Sequence, residues 1–358
     1  MKGTNKLIYK NFFKNKKILI TGSTGFKGSW LHLLLNQLGA KVYGIGLKPN
    51  KDQRLSLIFK SKLIKTTKFI NILNKKKFYS FLNDFKPEII FHLAAQSLVS
   101  TSQKSPLETL NTNIIGTANI LESLRMLNRP VFFLNITSDK CYQNNELKRS
   151  FVESDPLGGK DIYSSSKACS EIITKSYNDI FFSNSHIKIS TARAGNIIGG
   201  GDFSSDRLLP DIAYSYYKNK NLKLRSPISV RPWQYVFDVL NGYLLLAYKA
   251  NMNKKFDFEA FNFSSNKEKT FSVQQIVDYL EKNVFDMPLD YSYKKSNIIE
   301  STFLKLNSAK SNKLLGWKPQ YAIEKSLSET IQWYKNFYEK KDMLNYSLLS
   351  LRGFFKIK

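Results

Sequence analysis

The sequence predicts an α/β chain: a doubly wound parallel sheet followed by a smaller, mixed α/β lobe. Three observations carry that expectation. Short β-branched and aromatic segments alternate with amphipathic helical stretches through the first half. A glycine-rich turn, Gly22 to Gly28, follows the first apolar segment directly. Beyond Gly195 the alternation weakens into loop signals, with Gly199-Gly200-Gly201-Asp202 and then Pro210 and Pro227.

The expected strands are 17–21, 41–47, 67–72, 88–93 and 131–136, each short and rich in Ile, Val and Phe. Helical stretches at 28–38, 76–85 and 106–127 separate them. Such βαβ units cross over right-handed and clothe both faces of a parallel sheet, which makes the first half Rossmann-like. Ligands then bind outside the carboxyl ends of the strands, near the switch point in strand order. Helical periodicity returns at 168–177, 273–280 and 323–337. We divide the chain into a dinucleotide-binding unit, 1–195, and a second lobe, 196–358. Segments near 231–263, notably 233–249 and 260–263, return to the first unit. The tail from Asn345 to Lys358 reads equally as a frayed end or a packed one.

The 358 residues are 42% hydrophobic and 23% charged, enough apolar side chain to exclude a disordered chain or a disulfide-stapled miniprotein. Cys141 and Cys169 lack metal-site spacing, and His32, His92 and His186 are scattered, so no metal is expected and reducing cytosol is the natural compartment. No apolar run approaches the roughly 18 residues of a membrane span, and the basic start, Met1 to Lys17, lacks the apolar centre of a secretory signal. A cytoplasmic protein is expected, with no membrane partner. The formal charge of +27 would suit phosphate neutralisation, but the lysines are spread along the chain. No nucleic-acid role is assigned.

In Gly22-Ser23-Thr24-Gly25-Phe26-Lys27-Gly28, Gly22 permits a tight turn, Gly25 admits a pyrophosphate and Gly28 lets the helix approach the sheet. After the second strand, Gly44 to Pro49 offers no acid for a ribose diol until Asp52. Lys48 or Arg54 would suit a ribose phosphate, so NAD and NADP both stay open, beside the plainer reading of a solvated basic loop. Asn71-Ile72 should meet the adenine amino group, which an amide oxygen accepts less strongly than a carboxylate.

Tyr163-Ser164-Ser165-Ser166-Lys167 puts a phenol and an ammonium on one helical face, where the cation would lower the Tyr pKa. Alone, such a pair is usually a surface contact. Asn135-Ile136-Thr137-Ser138-Asp139-Lys140, at the end of the fifth strand, gives it context. His92 reads as structural, and Trp233 and Phe263 as core.

The glycine loop, His92-Leu93-Ala94-Ala95-Gln96, Ser138, and Tyr163 with Lys167 together resemble the extended short-chain dehydrogenase/reductase superfamily, across most of the chain. Further strings resemble the CDP-glucose 4,6-dehydratase family: Gly25-Phe26-Lys27-Gly28-Ser29-Trp30, Thr137-Ser138-Asp139-Lys140-Cys141-Tyr142, Asp155-Pro156-Leu157-Gly158-Gly159, Ala192-Arg193-Ala194-Gly195-Asn196, and Arg231-Pro232-Trp233-Gln234. The resemblance implies NAD as cofactor, held by Gly22, Thr24, Gly25, Phe26, Gly28, Asn71, Ile72, Leu93, Ala94 and Ala95 with Tyr163 and Lys167. It implies a nucleotide-sugar substrate met by Gln96, Ser138, Asn196, Arg207 and Arg231.

The implied chemistry is a closed redox cycle. Tyr163 takes the 4-hydroxyl proton as hydride leaves carbon 4, and Ser138 hydrogen-bonds the same oxygen. The ketone acidifies carbon 5, the 6-hydroxyl leaves as water, and the hydride returns to carbon 6. Asp139 would be the acid, its pKa raised by burial. Lys140 would be the base at carbon 5, or it would stabilise an enolate as a cation. The product would be a 4-keto-6-deoxy sugar nucleotide for surface polysaccharide such as lipopolysaccharide O-antigen. A homodimer or higher homo-oligomer through helices near 106–127 and 162–182 is also implied. Two alternatives remain: a 4-epimerase or dehydratase for another nucleotide sugar, and a non-catalytic nucleotide- or nucleic-acid-binding module.

Overall fold

Residues alternate between the two faces of a strand, and the first strand shows the consequence. Ile18 and Ile20 enter one apolar layer and Leu19 the other. A computed structural model describes residues 11–145, 149–253, 255–265, 270–294 and 304–357. The first ten residues of the basic start and the last of the tail lie outside the described residues.

Seven parallel strands form the central sheet: β1 Lys17–Thr21, β2 Lys41–Gly46, β3 Thr67–Phe69, β4 Ile89–His92, β5 Val131–Ile136, β6 Ile187–Ala194 and β7 Glu259–Phe263. Their order is β7-β6-β5-β4-β1-β2-β3. The chain direction across the sheet reverses between β1 and β4, where Thr21 pairs with His92. A ligand crevice belongs at that point. β5 spans the expected residues. β3 stops early because Asn71 Oδ1 accepts from the Leu73 amide at 2.9 Å, a side-chain turn that competes with the ladder.

The main helices are α1 Phe26–Gln37, α2 Lys75–Phe85, α3 Gly116–Arg125, α4 Ile162–Tyr177, α5 Leu208–Lys218, α6 Val236–Met252, α7 Val273–Asn283, α8 Ile323–Tyr338 and α9 Met343–Phe355. α2 and α3 cover one face through Phe78, Leu82, Ile120, Leu121 and Leu124. α1 and α6 cover the other, where the Trp30 and Phe237 rings meet edge to face at 4.9 Å. Burying one such side chain contributes about 1.5–3 kcal/mol, so Leu34→Ala, at a fully buried site, costs about 2–5 kcal/mol. The expected 106–127 stretch is helical but contains a π turn at Asn111–Ile115.

β7 pairs with β6, and α6 packs on the same sheet, so 236–263 lies with the first unit. The remaining second-lobe segments, including α5, α7 and three short strand pairs, overhang the carboxyl ends of β5 and β6. The tail is packed: Asp342 caps α9 by accepting from the Asn345 amide at 3.1 Å, and Leu351, Phe354 and Phe355 are buried.

Candidate active site

Glycine builds the first wall of the cleft. Gly22 has φ +70°, and a Cβ there would fall 2.7 Å from the Ala94 nitrogen; a Cβ on Gly28 would fall 2.1 Å from the Gly22 carbonyl oxygen. The loop is therefore clamped between the end of β4 and the start of α1. Gly25, the N-cap of α1, has no side-chain cap, and the first turn holds no acid. Open helix amides beside a turn with no Cβ at Gly22 and Gly25 fit a pyrophosphate, and with it a dinucleotide.

These residues open on a cleft of about 630 Å³. Gly22, Thr24, Gly25, Phe26, Gly28, Asn71, Ile72, Leu93, Ala94 and Ala95 line one part of it. Ser138, Asp139, Lys140, Tyr163 and Lys167 line the middle, and Asn196, Arg207 and Arg231 the side beneath the second lobe. Gln96 is the exception. It does not line the cleft, because its amide nitrogen donates to the Leu98 carbonyl at 3.0 Å and to Thr109 Oγ1 at 2.8 Å, bracing the loop after β4. Asn71 lies on the lining, but its amide oxygen already accepts from Leu73. Of the two basic candidates for a ribose phosphate, Lys48 reaches the lining with Asp52, whereas the Arg54 guanidinium lies 5.6 Å over the Phe203 ring.

Asp161 starts α4 by accepting from the Ser164 amide at 2.9 Å, which puts Tyr163 in the first turn and Lys167 one turn on. Both are buried. Burial pushes the Tyr163 phenol up to about 12, against the pull of Ser138 and Arg207. The spacing alone predicts a lowered phenol; the structure corrects that, because desolvation of the phenolate is the larger effect. Burial brings the Lys167 ammonium down to about 8, with Glu171 opposing. Lys167 Nζ donates to the Ile136 carbonyl at 3.4 Å, tying α4 to the end of β5.

At that strand end Ser138 Oγ accepts from the Lys140 amide at 3.2 Å and donates to Asp139 Oδ1 at 2.9 Å. Asp139 is 3% exposed, and its Oδ2 has no hydrogen-bond partner among the described residues. Burial raises its pKa, with Lys140, Ser138 and Arg231 pulling down. A buried carboxyl with one unengaged oxygen is equipped to hold a proton and to deliver it to a leaving oxygen. Lys140 is half-buried, and no hydrogen bond to its ammonium occurs among the described residues.

Arg207 donates to the Ser97 carbonyl at 3.3 Å, and its buried Nε has no partner among the described residues. Arg231 is buried and bonds the Val230 carbonyl at 3.1 Å. Lys27 is the functional residue to which motif reading assigns no role. Its ammonium is brought down to about 7 by burial, then by Lys167 and Arg207, with Asp139 opposing. Lys27, Lys140, Lys167, Arg207 and Arg231 gather around the buried Asp139, which makes this a cleft for anions, and guanidinium forks suit diphosphate oxygens. His92 is bonded on both ring nitrogens, to Thr21 Oγ1 at 2.7 Å and Thr117 Oγ1 at 3.0 Å, as a structural group.

The model of the GDP-mannose 4,6 dehydratase family matches residues 19–330. The chain belongs to that family. It is 36% identical over 343 residues to the CDP-glucose 4,6-dehydratase of Salmonella typhimurium, covering 94% of this chain and 96% of that protein. It is 22% identical to the UDP-glucose 4-epimerase of Mycoplasma genitalium, over 90% and 97%. Among solved structures, the dTDP-glucose 4,6-dehydratase of Bacillus anthracis in complex with NAD superposes with a TM-score of 0.76 at 22% identity, covering 91% of this chain and 98% of that one. The UDP-glucose 4-epimerase of Thermotoga maritima gives 0.73 at 20%, over 90% and 99%. These two share the fold.

Proposed function

We propose that the chain is an NAD-dependent lyase that dehydrates CDP-glucose to CDP-4-keto-6-deoxyglucose. The observation that carries the dehydratase reading is Asp139: buried, raised in pKa, with Oδ2 unengaged, beside Ser138 and Tyr163 on one cleft. The cytidine preference rests on resemblance to the Salmonella relative.

NAD, when bound, supplies the two-electron acceptor for carbon 4, a positive charge, and the same electrons for carbon 6. The glycine loop and the first-turn amides of α1 hold its pyrophosphate. Tyr163 receives the 4-hydroxyl proton as the phenolate, the form that Ser138 and Arg207 favour against burial and that the positive charge of bound NAD would favour further, while Ser138 orients that oxygen. Asp139 gives its proton to the departing 6-hydroxyl. Lys140 attends carbon 5, either as base or as the cation opposite the enolate. Arg207 and Arg231 hold the substrate diphosphate.

We further propose a cytoplasmic homodimer serving surface-polysaccharide synthesis. Among the described residues no helix is long and apolar enough to cross a membrane. Leu107, Ile115, Ile172 and Ile180 stand exposed on the helices at 106–125 and 162–182 and would be covered by a second copy. The test is incubation with NAD and, separately, CDP-, dTDP-, UDP- and GDP-hexoses, with products identified by NMR. Water loss from CDP-glucose alone supports the reading; a galactose product points to an epimerase, which has no use for the buried acid.

A further inference from the structure

Behind the cleft a buried ion pair bonds the strand end that carries Ser138 and Asp139 and lies one helical turn from Lys167. Tyr163, Lys167 and Glu171 follow one another at four-residue spacing along α4, so Glu171 lies one turn beyond Lys167 on the same face. Its carboxylate is 1% exposed and has four donors. Arg193 on β6 grips it with two bonds of 2.9 Å, Nε to Oε1 and Nη2 to Oε2. Thr191 Oγ1 adds a bond of 2.7 Å to Oε2, and Thr137 Oγ1 donates to Oε1. Thr137 immediately precedes Ser138 and Asp139. On the far side, Arg193 Nη1 donates to Tyr142 Oη at 2.8 Å and to the Glu153 carbonyl at 3.1 Å.

The pair is oriented, with its carboxylate toward α4 and the end of β5 and its guanidinium toward Tyr142. We propose that Glu171 is a positioning residue for the proposed reaction: it supplies the negative charge opposite Lys167 and, through Thr137, fixes the strand end that presents Ser138 and Asp139. A pair with a purely structural role needs neither the charge beside Lys167 nor the bond from Thr137.

The charges around Lys167 leave this task to Glu171. Burial works against the ammonium. Lys27 from α1 repels it, and His92 from β4 is held neutral, its pKa driven down to about 3 by burial and by Lys167 itself. Cys141, in the turn after β5, is held as a neutral thiol because burial pushes it well up. Burial opposes charge on Glu171 too, but Arg193 and the two threonines outweigh it, so the carboxylate is ionised at neutral pH. At its position one turn away it counters both desolvation and Lys27.

The inference rests on the proposed dehydratase reading, and its test separates the two. Carbon 4 oxidation is followed in a single turnover with NAD and CDP-glucose as a function of pH, beside thermal melting. Glu171→Gln strands a buried Arg193 and risks unfolding. Glu171→Gln/Arg193→Met removes both charges and keeps the volume filled, so it is the decisive variant. It is expected to fold and to move the alkaline limb of the rate profile down by at least about one pH unit, a tenfold loss at fixed pH on that limb. Glu171→Asp keeps the charge and is expected to restore the limb. Thr137→Val leaves the ion pair intact and is expected to lower kcat more than it raises KM, with the limb unmoved. A folded double variant with the wild-type profile and a rate within about twofold overturns the proposal. So does a limb that Glu171→Asp does not restore. If the wild-type chain forms no product, the dehydratase reading itself has failed, whatever the variants do.

Discussion

Asp139→Asn is the sharpest perturbation of the proposed elimination. Asparagine has nearly the same shape, and its Oδ1 still accepts from Ser138 Oγ, the one hydrogen bond that Asp139 Oδ1 accepts from a side chain. What is lost is the proton that a carboxyl of raised pKa holds and gives to the 6-hydroxyl. A positioned general acid contributes about 10²–10⁴-fold, so turnover should fall by that factor, or about 3–5.5 kcal/mol of barrier. Carbon 4 oxidation does not use this proton. In a single turnover the absorbance of reduced cofactor should rise at close to the wild-type rate and then persist. Stability supplies an independent control. A carboxyl whose pKa is raised by folding binds its proton more tightly in the native state, so stability is lost as pH climbs from the unfolded value near 3.9. Asparagine escapes that loss. The melting temperature of Asp139→Asn relative to wild type should therefore rise as the pH climbs above about 4. Turnover retained within about threefold, or carbon 4 oxidation lost in parallel with product, would refute the assignment.

Tyr163→Phe should abolish the reduced-cofactor signal itself, with at least about a 10²-fold loss in the oxidation rate, while nucleotide affinity measured by calorimetry stays close to wild type. Lys140→Ala should spare that signal but stop solvent deuterium from entering carbon 5. Lys140→Arg distinguishes its two roles, since guanidinium never loses its proton: activity kept in the arginine variant means a cationic helper, and activity lost means a base. Lys27→Met acts on stability. The folded ammonium is brought down to about 7 from an ordinary 10.5, so the unfolded chain holds the extra proton between those values and wild-type stability rises with pH across that window. The methionine variant should melt about 2–4 °C higher than wild type near pH 6, with the gain shrinking toward pH 10; a gain that grows with pH contradicts the burial of that charge.

Local chemistry explains what can be read from the chain. The end of β1, the glycine turn and the start of α1 are contiguous, so residue type alone dictates that loop, and β5 is an uninterrupted apolar run except for Asn135. β6 is harder to see. Its Ser190, Thr191 and Arg193 look like surface residues, yet they are buried, and two of the three bond Glu171 on the preceding helix, a pairing that no local spacing announces. Gln96 has the right neighbours for a ligand contact, but Thr109, thirteen residues on, takes its amide. Spacing places Tyr163 and Lys167 on one face, but it carries no information about desolvation, which reverses the expected direction for the phenol. Lys27 is one of 55 basic residues, and nothing local says that this one is enclosed. Glu171 did leave a trace, a third functional side chain at the same four-residue spacing. The tail reads equally as frayed or packed from its residues, and only the fold decides it: Asp342 caps α9, and Leu351, Phe354 and Phe355 are buried.

Isotope tracing tests the central claim most directly. CDP-glucose carrying deuterium on carbon 4 is converted by the protein with NAD in ordinary water, and the product is examined by NMR. A closed redox cycle at Tyr163 and Asp139 predicts one deuterium in the carbon 6 methyl group and none at carbon 4. Recovery of the label in a carbon 4 epimer, or its release to solvent, would contradict the account.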